Sequence, residues 1–119
     1  MTEKDPLLQS IIEGIREKKG KNICTIQLKD MPGAVCDYFV ICEGNTPTQV
    51  SALAGSIEMT VKKYAGGNPL RIHGQQRAEW IGMDYGSIIV HIFLPGLRSF
   101  YNIDSLWEDA RLEHIPSAD

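Results

Sequence analysis

Residues 78–93, Ala-Glu-Trp-Ile-Gly-Met-Asp-Tyr-Gly-Ser-Ile-Ile-Val-His-Ile-Phe, read as a hairpin of two unequal strands. Side chains change face at every residue of a strand. In the first strand Trp80, Gly82 and Asp84 therefore point one way, and Ile81, Met83 and Tyr85 the other. The second strand is apolar nearly throughout and broken only by His91, which predicts burial on both faces. A large aromatic on the face shared with Gly82 and Asp84 is poorly explained by stability alone. It points to a flat recognition surface on a small α/β domain.

The flanking segments supply the rest of such a domain. Asp5-Pro6 opens a helix, because the carboxylate caps free amides and proline suits the first helical position. Leu7, Leu8, Ile11, Ile12 and Ile15 form its apolar stripe, and Gly20 is its natural stop. Ile23 to Leu28 alternates and predicts a half-exposed strand. Pro32-Gly33 marks a turn. Tyr38-Phe39-Val40-Ile41-Cys42 is a continuous apolar run, hence a central strand. Thr46-Pro47-Thr48-Gln49 is a capping box. Val50, Leu53, Ala54, Ile57, Val61 and Tyr64 follow at helical spacing, and Gly66-Gly67 ends that helix. Pro69 to His73 predicts a short strand with Leu70 and Ile72 inward. Strand, helix, strand in this order makes a crossover unit, so those two strands should run parallel with a right-handed connection. Pro95-Gly96 breaks the chain after the hairpin. Asn102 to about Glu113 reads as a last amphipathic helix, with Ile103, Leu106, Trp107 and Ala110 on one side.

These elements predict an α/β fold: a mixed five-stranded sheet with three flanking helices. The length of 119 residues fits one domain with its own core. Residues 5–114 are its expected core and 115–119 a frayed tail. The formal net charge of −3 argues against free nucleic acid as a ligand and suits a basic protein surface. The N-terminus lacks an apolar signal region, and no apolar run approaches membrane-spanning length. A cytoplasmic location is the expectation, or an organelle matrix after removal of a leader, with no membrane partner.

Candidate chemical residues are few. Cys24, Cys36 and Cys42 have no CxxC spacing, which makes disulfide and zinc readings poor and buried thiols the simpler account. His73, His91 and His114 lack a second ligand at metal spacing. His114 falls near a predicted helix end, His73 opens the turn Gly74-Gln75-Gln76-Arg77, and His91 reads as a hydrogen-bonded strand residue. Gly44-Asn45-Thr46 leads into a helix N-terminus, a place that can hold phosphate, but it lacks a phosphate-loop pattern. Asp37 and Asp84 lie at strand ends where a carboxylate pair could act with a metal. Local turn amides explain Asp84 equally well. Arg98, Phe100 and Tyr101 cluster at the entry to the last helix, and packing and capping account for most of that cluster. No cofactor or metal is expected. Two readings of Trp80 stand side by side: a binding anchor beside a glycine that lets another molecule approach, or ordinary core beneath a covering helix.

Several segments in order resemble the Iojap family, the bacterial ribosomal silencing factors and their organelle relatives. They are Asp37-Tyr38-Phe39-Val40-Ile41-Cys42-Glu43-Gly44, Gln49-Val50, Trp80-Ile81-Gly82-Met83-Asp84-Tyr85-Gly86, Val90-His91-Ile92-Phe93, Arg98-Ser99-Phe100-Tyr101 and Leu106-Trp107. The resemblance runs from about residue 7 to residue 110. One departure is His73-Gly74, where the family usually has Glu-Gly. The resemblance implies a nucleotidyltransferase-like fold without enzymatic activity. It also implies binding to a ribosomal protein on the intersubunit face of the large ribosomal subunit, hindered joining of the small subunit, and lower translation when nutrients are scarce. By position, Trp80, Ile81, Met83, Asp84 and Tyr85 would make the contact. A homodimer is compatible with this reading. The alternative is a nucleotidyltransferase-type enzyme acting on nucleotides, which the fold alone suggests and the missing Gly-Ser and Asp-x-Asp elements oppose.

Overall fold

A mixed sheet organises the molecule, and its two faces are covered very differently. The computed structural model describes residues 5–101 and 111–117. The elements run α1 (Pro6–Glu17), β1 (Lys21–Gln27), β2 (Tyr38–Glu43), α2 (Pro47–Tyr64), β3 (Arg71–His73), β4 (Trp80–Asp84), β5 (Ile88–Phe93), α3 (Pro95–Tyr101) and β6 (Arg111–Ile115). The strand order is β3-β4-β5-β2-β1-β6. β2 and β5 pair in parallel and every other pair is antiparallel. β2 and β3, joined through α2, therefore run in the same direction as the crossover pattern predicts, with β5 and β4 between them.

Both long helices start where their caps dictate. The Asp5 carboxylate accepts from the Leu7 and Leu8 amides at 3.1 and 3.4 Å. The Thr46 hydroxyl accepts from the Gln49 amide at 3.1 Å. α1 and α2 pack together through small residues: the Ser56 hydroxyl donates to the Gly14 carbonyl at 2.8 Å and the Thr60 hydroxyl to the Ser10 carbonyl at 2.7 Å. The pair covers one sheet face. Leu8, Ile11 and Ile15 of α1 and Val50, Leu53 and Ile57 of α2 meet Val40, Ile81, Met83, Val90 and Ile92, all fully buried. A smaller cluster of Cys24, Ile26, Leu28, Phe39, Ile41 and Phe93 lies on the other face, edged by Ala34, Leu97 and Trp80.

The structure corrects the sequence reading in several places. The sheet has six strands, not five. Residues 111–113, expected at the end of a helix, belong to β6, which satisfies the outer edge of β1 by pairing Ile23 with Ile115 and Gln27 with Arg111. That pairing also holds Ile115, expected in a frayed tail. The remainder of the expected helix, Trp107 included, lies outside the described residues. Pro95-Gly96 begins α3 instead of ending the order, since proline is preorganised for a first helical turn. β1 is buried from Ile23 to Ile26, not half-exposed, because it has a strand on each edge and an apolar cluster on each face. Leu70, expected inward, is 72% exposed: it precedes β3 at the sheet edge, where its amide still donates to the Asp84 carbonyl. β5 is fully buried on the helix side; on the other face Phe93 is buried as expected, whereas Ile89 and His91 stay partly exposed.

Candidate functional site

The partly open face of β4 and β5 begins with how Trp80 is placed. The turn before β4 presses directly on its backbone. Gly74 has φ 88°, and a Cβ there would collide with the Trp80 carbonyl oxygen. Only glycine meets both conditions without strain. The Ala78 amide donates back to the Gly74 carbonyl at 2.9 Å, closing the turn.

The Trp80 indole is then held from two sides. It stacks on Phe93, its cross-strand neighbour, with ring centroids 4.9 Å apart and planes inclined by 27°. Its N–H donates to His91 Nδ1 at 3.2 Å. The His91 ring in turn meets Phe39 edge to face, with centroids 5.0 Å apart. Burial pushes the His91 pKa down to about 4. The ring is therefore neutral at physiological pH, and because Nδ1 accepts, its proton sits on Nε2. That nitrogen is buried with no hydrogen-bond partner among the described residues.

Next to this cluster the face opens. Gly82 stands opposite His73 on β3 and His91 on β5. Around it lies a depression of about 410 Å³ bounded by Arg71, Trp80, Asp84, Ile89 and His91. A partner can reach Trp80, Asp84 and Ile89 there without any movement of the sheet.

The five residues expected at a partner contact divide between the two faces. Trp80 and Asp84 share the open one, partly exposed. Ile81 and Met83, at 1% and 0% exposure, lie on the opposite face, in the core beneath α1 and α2. Strand alternation itself sends them inward. Tyr85 follows β4 and packs against the helix-side core, with its hydroxyl buried and its pKa raised, first by desolvation and then by Glu58. Of the two readings of Trp80, neither extreme holds: it is neither fully buried core nor a freely exposed ring.

Other candidates separate. The Asp84 carboxylate accepts from the Gly86 amide at 2.8 Å, as a turn aspartate does. Asp37 is exposed at the same sheet end. No group of three or more His, Cys, Asp or Glu able to hold a metal occurs among the described residues. Two amides of the Gly44-Asn45-Thr46 turn have other partners: Gly44 donates to the Phe93 carbonyl at 3.0 Å and Asn45 to Gln49 Oε1 at 2.8 Å. Gln49 also donates to the Lys18 and Lys19 carbonyls, tying the end of α1 to the start of α2. All three cysteines are buried; burial raises the Cys36 thiol to about 11 and the Cys42 thiol further. His73 is exposed, and His114 is an exposed β6 residue paired with Cys24, not a helix-end residue.

Sequence reasoning did not include Arg71, Ile89 and Phe39 in the site. Their signal is cross-strand register, which becomes legible only when β3, β4, β5 and β2 are aligned. It also undervalued Arg98, whose guanidinium pairs with Glu43 at 3.0 Å, both side chains nearly buried, and donates to the Asn22 carbonyl at 2.5 Å. That pair fastens α3 to the sheet, and Leu97 of α3 borders Trp80. The charged end of the apolar run Tyr38–Glu43 is the clue to it in the sequence.

Comparison with known proteins identifies the family. A profile of the family described as "Ribosomal silencing factor during starvation" matches residues 1–119. The ribosomal silencing factor RsfS of Halalkalibacterium halodurans is 32% identical over 104 residues, 87% of each chain. Mouse mitochondrial assembly of ribosomal large subunit protein 1 is 28% identical over 105 residues, covering 84% of this chain and 44% of that protein. A crystal structure of a Chromobacterium violaceum protein superposes with a TM-score of 0.81 at 28% identity, covering 94% of this chain and 92% of the other. The chain belongs to the ribosomal silencing factor family.

Proposed function

We propose that this protein binds the large ribosomal subunit through a ribosomal protein on the intersubunit face and sterically blocks joining of the small subunit, lowering translation under nutrient limitation. The observation that carries the reading is the fixed, partly exposed Trp80 on an open sheet face. A tryptophan oriented before binding loses little conformational freedom on docking, and tryptophan is among the side chains that dominate binding energy. Trp80, Asp84 and Ile89 would make the contact, with Tyr85 at its edge and Ile81 and Met83 supporting the strand from beneath. A surface of about 800 Å² suffices for a specific complex. The chain's net charge of −3 suits a basic partner.

No chemistry is needed, since occupancy of the space alone prevents subunit joining. The cytoplasm, where translating ribosomes are, is the proposed location. Among the described residues no helix is long and apolar enough to cross a membrane.

The test combines sucrose-gradient reassociation with thermal unfolding. Wild-type protein added before small subunits should co-sediment with large subunits and deplete whole ribosomes. Trp80→Ala should weaken binding by about 2 kcal/mol, roughly thirtyfold. Its stability loss should be smaller than the roughly 3–5 kcal/mol of a fully buried tryptophan. Unchanged gradients at saturating wild-type protein would refute the function. A Trp80→Ala protein that binds normally would refute the assigned face.

A further inference from the structure

Gly82 is out of place by every local criterion. It sits in the middle of β4, between the fully buried Ile81 and Met83. It is not among the described glycines with positive φ. A Cβ built on it meets nothing within 4 Å. Neither a turn nor a close approach of this chain therefore requires glycine, while glycine in a strand interior weakens the strand. What its missing side chain does provide is room on the open face.

The room has a definite shape. His91 and His73 flank it on the neighbouring strands, Trp80 and Asp84 bound it along β4, and Ile89 closes a corner. The indole of Trp80, the neutral imidazole of His91 and the Ile89 side chain give the depression an apolar lining beside the charged Arg71 and Asp84.

We infer that this depression is a socket for one aliphatic side chain of a basic large-subunit ribosomal protein, and that Gly82 sets the size of side chain accepted. The inference rests on the docking reading above and adds the specificity determinant. A second copy of this chain is the less suitable occupant, because both copies carry the same net charge of −3.

The experiment fills the socket stepwise with Gly82→Ala, Gly82→Val and Gly82→Leu. Tm and affinity for purified large subunits from the protein's own source are measured for each, with Trp80→Ala in parallel. Tm should hold or rise along the series, because the side chains enter open space and strengthen strand propensity. Affinity should fall with side-chain size, at least tenfold for Gly82→Leu. Gly82→Leu binding at wild-type affinity overturns the socket, and weakened binding by Trp80→Ala in the same assay keeps the docking face. A Tm that falls with size overturns it too, since the space would not be open. Wild-type protein that fails to bind large subunits overturns the docking reading and the socket with it. A dimer of the free protein that Gly82→Leu dissolves, seen by sedimentation, would name a second copy as the occupant and refute the ribosomal one.

Discussion

Acid should destabilise this fold through one ring in a way that a single substitution exposes. His91 has an ordinary pKa of 6.5, lowered to about 4 in the folded chain by desolvation. As the pH falls, the unfolded state takes up this proton first. The associated stability is fully present above about pH 6.5, declines below it, and is lost once the pH reaches the folded value near 4. The lowering from 6.5 to about 4, at about 1.4 kcal/mol per tenfold change in proton affinity, corresponds to about 3–4 kcal/mol in full, of which about 3 kcal/mol is lost by pH 4. Protonation also removes Nδ1 as the acceptor of the Trp80 indole N–H, so the loss coincides with release of the indole. Urea unfolding of the wild type and of His91→Gln from pH 7 to pH 4 measures the effect. Glutamine does not titrate and keeps an acceptor oxygen. All other residues are the same in both proteins, so the difference isolates His91. Wild-type minus variant stability should fall by about 3 kcal/mol across the range, with a parallel change in Trp80 fluorescence. A difference that stays flat within about 0.5 kcal/mol would show that His91 protonates freely in the folded state and would refute the reasoning.

Two further substitutions test the supports of the site. Arg98→Met should cost about 3 kcal/mol in urea unfolding, because it leaves the nearly buried Glu43 carboxylate without its countercharge, with only the Asn22 side-chain amide, among the described residues, donating to it; the double variant Arg98→Met with Glu43→Gln should recover part of that, and a single-variant loss under about 1 kcal/mol would refute a structural ion pair. Gly14→Ala should lower Tm although alanine is the better helix former by about 1 kcal/mol. The new Cβ would lie 2.6 Å from Thr60 Oγ1 and 2.7 Å from Ile57 Cα, so α1 and α2 must part; a raised Tm would show that the helices tolerate more space than their contacts indicate.

What the sequence reveals is set by how local each signal is. The caps at Asp5 and Thr46, the central strand Tyr38–Glu43 and the hairpin of β4 and β5 all follow from residues adjacent in the chain, and the structure contains them. The division of Trp80 from Ile81 and Met83 follows from strand alternation alone. Burial that depends on remote partners was not legible. β1 looks half-exposed until β6 covers its outer edge, and β6 is recognisable as a strand only when β1 is there to pair with it. Helical spacing carried across Arg111-Leu112-Glu113 competes with strand alternation in the same residues, and the vacant edge of β1 decides between them. The site has the same limit: Trp80 and Asp84 announce themselves along one strand, whereas Arg71 and Ile89 join them only through register across three strands.

The asymmetry of the sheet links stability to function. α1 and α2 cover the larger core on the helix side, and Cys24, Ile26, Leu28, Ile41 and Phe93 form a second buried cluster on the other. Beside that second cluster the open face keeps a strand glycine, a neutral histidine and a partly exposed tryptophan. Together they leave an oriented and partly apolar surface. Under the proposed function, action by occupancy has no use for a lid or a catalytic constellation. It would need a surface preorganised well enough to keep the dissociation constant below the working concentration. At a free concentration of one hundred dissociation constants, binding would favour the blocked subunit by about 2.7 kcal/mol. Loosening Trp80 or filling the space over Gly82 would act directly on that margin.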